Sequence, residues 1–184
     1  MVLLATPSWI EAGALFLVCW LLARVEIEIE GPRGWAEGLP TWRWGPPWFL
    51  RLTNGKPITG YHVYFTLLLL ALFHLPLSWL GWSRALEAQA LSRYLLVTCF
   101  WDFQWFLWNP AWGPRRFFGE KVWWFERRLL GLPVDYYAAV AGSGLAQALL
   151  WPQGLRRWAA VVAAMLVASA AALPLAALRG RGRS

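Results

Sequence analysis

HVYFTLLLLALFHLPLSWL, residues His62–Leu80, contains no Asp, Glu, Lys or Arg. A run of this length matches the ~20 apolar residues that carry a helix across a ~30 Å hydrocarbon layer. WAAVVAAMLVASAAALPLAAL, Trp158–Leu178, repeats the pattern. Two such stretches predict an all-α, polytopic transmembrane helix bundle.

Three weaker apolar segments complete the set. The spans expected are about 9–27, 62–80, 91–109, 134–151 and 158–178 of one integral-membrane domain, 1–184. The first is most apolar over Trp9–Ala23 and extends toward Leu3 if Pro7 is tolerated. No Lys or Arg precedes it, which speaks for a retained span over a cleaved signal. The third carries Asp102. Charge orients the bundle. Thirteen of the 17 Lys and Arg fall after spans one, three and five, against four on the other side. Cytoplasmic loops collect such residues, so the N-terminus is expected outside and the C-terminus inside, in a prokaryotic inner or plasma membrane.

Composition agrees. Hydrophobic residues make up 59% of the chain and charged residues 15%, below the near-quarter usual in soluble domains. The 16 Trp suit a membrane–water interface. The net charge of +7 lies almost wholly between apolar runs, which turns the reading from nucleic acid toward membrane topology. Cys19 and Cys99 sit within apolar runs and read as buried thiols. The Trp-, Gly- and Pro-rich loop 31–60 is expected at the cytoplasmic interface. EKVWWFERRLL, residues 120–130, reads as an amphipathic in-plane helix with Trp123, Trp124 and Phe125 in lipid and Arg127 and Arg128 at headgroups.

Polar residues inside apolar runs mark the candidate site. Asp102 lies seven residues before Asn109, ~10 Å from the inner end of its span. An ionisable group at that depth is costly and is a functional candidate by default, the alternative being a hydrogen bond that pins the helix. In VEIEIEG, Val25–Gly31, helical continuation places Glu26 and Glu30 on one face and Glu28 elsewhere. The plain alternative is a solvated helix end beside Arg24. His62 opens span two beside Tyr61. Asp135 opens span four beside Tyr136, where capping is the plain alternative. Glu26, Glu30, His62, Asp102 and Asp135 converge on the inner half of the bundle. His74 stands ~18 Å along its helix from His62 and is expected to make an interhelical hydrogen bond. Glu11 and Glu87 read as solvated outer residues. Trp101, Trp105, Trp108 and Trp112 share a helix face, suited to packing or to walling an acyl or isoprenoid pocket.

The chain carries no H-E-x-x-H, no G-x-S-x-G and no P-loop, and two histidines cannot build a histidine-box di-iron site. The chemistry expected is that of a small membrane enzyme on a lipid or isoprenoid substrate at the cytoplasmic leaflet. Carboxylates and His62 would act as acid and base or hold a divalent metal ion. Arg115, Arg116, Arg127 and Arg128 would grip a phosphorylated headgroup. A non-enzymatic assembly factor or complex subunit is the alternative, with an oligomeric transporter behind it. Membrane lipids are the partners, with a homo-oligomer or larger membrane complex left open. Small-residue ridges, Ala138–Gly142–Ala146 in span four and every fourth Ala from Ala160 to Ala176 in span five, predict a tight antiparallel hairpin.

Overall fold

The computed structural model describes residues 6–53, 55–125 and 127–181, and the chain is mostly helical. Helix α1 is Ser8–Glu30. A short ladder of β1 (Arg43–Trp44) and β2 (Ile58–Thr59) brackets α2 (Pro47–Leu52). Then follow α3 (Gly60–His74), α4 (Leu77–Leu80), α5 (Arg84–Trp108) and α6 (Gly113–Gly119). A hairpin of β3 (Arg128–Leu129) and β4 (Leu132–Pro133) leads into α7 (Val134–Leu150), a 3₁₀ turn at Pro152–Gly154, and α8 (Leu155–Arg181). Two stretches, Gly60–Leu80 and Pro152–Leu178, are long and apolar enough to cross a membrane. The other three expected spans also form helices, α1, α5 and α7. The first two carry several charged residues and the third is 17 residues long.

Apolar side chains fill the interior with a minority of polar ones among them, while the two most apolar stretches leave much of their surface outside. Only Gly60 and Leu69 of α3 are buried, while Leu67, Leu68, Leu72 and Leu75 are exposed. Leu166, Val167, Leu175 and Leu178 of α8 are exposed as well. The more polar α5 forms the centre and packs on α7, α1 and α3. Gln89, Ser92, Gln104, Ser143, Gln147 and Ser169 are buried. Several join helices. Gln104 donates to the Phe16 carbonyl of α1 at 3.2 Å, and Gln147 to the Ala88 carbonyl of α5 at 3.2 Å. The Trp158 indole donates to Ser143 Oγ at 2.9 Å. Bonds of this kind add directional ties between helices to the apolar packing.

Local chemistry sets the ends that matter for the site. At Gly31 the chain turns into positive φ, 66°, and Pro32 forbids continuation of α1. Asn109 caps the opposite corner. Its side-chain amide donates to the Gly31 carbonyl at 2.8 Å, and its Oδ1 accepts from Ala111 N at 3.0 Å. The inner ends of α1 and α5 are thereby tied. Thr59 caps α3 by accepting the His62 N–H.

Three expectations need correction. Residues 120–130 do not form an in-plane helix; the helical turn lies earlier, in α6, and the described part of the segment runs through turns into β3. Glu126 lies outside the described residues. Three consecutive aromatics sweep about 200° on a helix and cannot share a lipid face. Instead Trp124 and Phe125 are buried, Trp124 stacked on Phe106 at 5.9 Å, and Trp123 points out. The last two helices do not make the predicted tight hairpin. Helix α7 packs chiefly on α5, and α8 chiefly on α1. The buried face of α7 is Tyr136, Ser143 and Gln147, whereas Ala138 is exposed. Finally, Glu11 is not simply solvated. It is mostly buried and bridges Arg93 of α5 at 2.7 Å and Arg157 of α8 at 2.5 Å.

Candidate functional site

The C-terminal end of α1, the N-terminal end of α3 and the C-terminal half of α5 border a cavity of about 240 Å³. Glu26, Glu30, His62 and Asp102 line it together with Thr66, Thr98 and the indoles of Trp35, Trp101, Trp105 and Trp124. Four of the five expected site residues therefore meet in one space.

Helical periodicity puts Glu26 and Glu30 one turn apart on the inward face of α1, and both are buried. Glu28 points away, exposed, 3.5 Å from Arg24. The Glu26 carboxylate accepts from the Tyr61 hydroxyl at 3.3 Å. Glu30 Oε1 accepts from the backbone N–H of Ala36 at 2.6 Å. Glu30 lies beyond the predicted first span, and burial pushes it up to about 7 against the opposing pull of that N–H.

His62 occupies the first turn of α3. Its Nδ1 is 2.6 Å from Thr59 Oγ1, and its Nε2 faces Glu30 Oε1 at 3.9 Å. The Trp35 ring stacks on the imidazole at 4.4 Å, and the Trp35 indole N–H donates to the Pro57 carbonyl at 2.9 Å. Trp35 and Ala36 both hold positive φ, 57° and 52°. Non-glycine residues adopt this region at a cost of order 1–3 kcal/mol. The stack on His62 and the Ala36–Glu30 hydrogen bond hold the strained corner shut over the carboxylate. Gly34 precedes it and lines the cavity; a Cβ there would stand 2.5 Å from the Trp124 ring.

Asp102 accepts a short hydrogen bond from the hydroxyl of Tyr136 on α7. The α5 wall is thus fixed to a fourth helix. Asp135 is elsewhere. It sits, mostly exposed, in a neighbouring cavity of about 180 Å³ beside Lys56, Phe125 and Arg127, and accepts from Lys56 Nζ at 3.0 Å. Trp124 lines both cavities. Lys56 also lies over the Trp35 and Phe125 rings, at 5.3 and 5.2 Å. Of the four arginines expected at a headgroup, Arg116 pairs with Glu120 at 2.9 Å. Arg128 donates to the carbonyls of Phe117 and Gly131. Arg127 alone of the four lines either cavity.

Sequence reasoning passed over Lys56, read only as a topological charge, and Tyr61, Thr59 and Trp35. The last three stand beside His62 in sequence or reach it through the loop. Thr59 carried a signal, being a capping residue three positions before the histidine. His74 is far from this cluster, paired with Glu87 of α5 at 3.2 Å, an interhelical contact at the other end of α3.

No family model, no curated protein and no solved structure matches the chain.

Proposed function

We propose that the chain is a multi-pass membrane protein of five spans, N-terminus out and C-terminus in, residing in a prokaryotic inner or plasma membrane. In this reading it acts on a lipid or isoprenoid substrate through the carboxylate–histidine cavity at the cytoplasmic side. The observation that carries the reading is a cavity lined by four ionisable side chains and four indoles, in a helical chain two of whose stretches are long and apolar enough to cross a membrane. The indoles suit an apolar chain, and the ionisable groups suit its polar end. His62 and Glu30 would exchange a proton with the substrate, while Asp102, held by Tyr136, would orient or ionise the reacting group. Glu11, Arg93 and Arg157 would pin the outer end of the bundle.

Mass spectrometry of lipids carried by the detergent-purified chain tests this. The expected result is one lipid class enriched over the host membrane and displaced when Thr98→Leu, at the cavity wall, narrows the space. A bulk lipid profile, unchanged by Thr98→Leu in a folded variant, would sink the substrate reading. The alternative of a subunit or assembly factor draws support from Trp42, Trp44 and Trp48, all exposed on the loop that covers the site. Co-purification of one stoichiometric protein partner, lost on changing those three residues and not on filling the cavity, would favour it.

A further inference from the structure

We propose that Glu26, Glu30 and His62 bind a divalent transition-metal ion, leaving a ligand position open toward the cavity. The inference deepens the reading above and rests on it for what the ion would serve.

Each of the three side chains offers one ligand atom, and those atoms lie within 4.8 Å of one another. Ligands at ~2.1 Å from a common ion stand roughly 3–4 Å apart, so shifts of about an ångström close the set. Two ligands one helical turn apart and a third from a neighbouring helix fix three positions. A fourth then stays open for water or a substrate oxygen, the arrangement of catalytic metal sites.

Charge balance points the same way. Glu26 and Glu30 are 7% and 8% exposed. Among the described residues no Lys or Arg pairs with either. Arg24 turns outward to Glu28, and Lys56 is held by Asp135. Two neighbouring buried carboxylates require a proton or a cation between them. The imidazole is already aimed. In the tautomer that donates Nδ1–H to the fully buried Thr59 hydroxyl, the Nε2 lone pair is left to face Glu30 across 3.9 Å. That gap is too long for a hydrogen bond and within about half an ångström of the ~3.4 Å that two ligands span across a tetrahedral ion. A partner on the far ring nitrogen is the usual means of orienting a metal-binding histidine.

A second, independent observation concerns the cavity wall. Trp105 is 3% exposed and lines the cavity, and its indole N–H finds no acceptor among the described residues. Buried donors are normally satisfied. A water or substrate oxygen on the open metal position is an acceptor of the required kind. Two carboxylates with one imidazole suit Zn²⁺, Mn²⁺ or Fe²⁺, whereas Ca²⁺ prefers an all-oxygen shell.

The test uses the full chain in detergent, stripped with chelator and titrated separately with Zn²⁺, Mn²⁺ and Co²⁺. Expected are one tightly held ion per chain, a rise in melting temperature on loading, and a visible Co²⁺ absorption band. Glu30→Gln and His62→Gln should weaken binding roughly tenfold or more. Glu28→Gln and Glu120→Gln should leave it unchanged. If Glu30→Gln fails to fold, Glu30→Asp takes its place, and the Co²⁺ band of the unaltered chain is read alone. Ion binding no tighter in the folded chain than in Glu30→Gln, or weakened as much by Glu28→Gln, would overturn the site. Selective lipid without metal would overturn the ion and leave the lipid pocket standing. Metal without selective lipid would support the ion and count against the lipid reading.

Discussion

Asp102 and Glu11 show how differently two buried carboxylates can be held. Among the described residues Asp102 has one donor, Tyr136, and it lines the cavity. Asp102→Asn keeps an acceptor for that hydroxyl while removing the charge. Its expected effect is a stability change of about 1 kcal/mol or less, with turnover of the cavity's substrate reduced by about 10²-fold or more. A large drop in melting temperature with activity retained would make Asp102 a packing residue. Glu11 is the reverse case, with both oxygens spent on Arg93 and Arg157. Glu11→Ala leaves two mostly buried guanidinium groups unpaired and is expected to cost about 3 kcal/mol in denaturant unfolding in detergent. The sequence exposed Glu26, Glu30 and His62 because helical spacing and proximity to a cap are local properties. It hid Lys56, since a lysine between apolar runs is explained by topology whether or not it is also buried. It hid Glu11 because its partners lie far along the chain, at Arg93 and Arg157.

At the scale of elements, period was legible and partnership was not. Small residues do recur along α7, yet which of them meets another helix depends on how that helix is rotated. Gly144, outside the predicted ridge, is the one against which Trp158 packs; a Cβ there would stand 2.9 Å from the indole. Gly142 faces Leu95 of α5, where a Cβ would find 3.4 Å. Gly144→Leu should therefore destabilise by about 1–3 kcal/mol through overpacking, and exposed Ala138→Leu should change little. Thermal unfolding of the two variants side by side checks this. Equal melting temperatures would mean that α7 does not present this face to α8. The segment 120–130 failed as a helix for a related reason. Its aromatics were allotted to lipid by composition, whereas the ring cluster of Trp105, Phe106, Trp112 and Phe117 offered Trp124 and Phe125 a place inside.

For the molecule as a whole, the proposed five-span topology would put 13 of the 17 Lys and Arg on one side, and that orientation can be tested. Cys19 and Cys99 are buried, so single cysteines can be read over a low background. A cysteine at exposed Glu28 is expected to react only after the membrane is opened to reagent, and one at exposed Trp82 to react from outside. A C-terminal reporter at Ser184, outside the described residues, should report the cytoplasm. The opposite pattern would remove or add a span. The helical class and two long apolar stretches were legible because hydrophobic runs are a local property, and the core was not, because its packing joins residues distant in sequence. The position of α3 carries a consequence of its own. Its shaft is mostly half-buried or exposed, Phe65 packs on Trp101, and polar contacts near its two ends, at Tyr61 and at His74, join it to α1 and α5. In the proposed membrane setting, lipid competes for the rest of its surface. Whatever binds between Glu30 and His62 is therefore also a clasp on this helix, and part of its affinity is spent in keeping the helix docked. Occupancy and mechanical integrity become one equilibrium. The occupied protein should resist unfolding in proportion to the logarithm of ligand concentration, and the empty one should release α3 first.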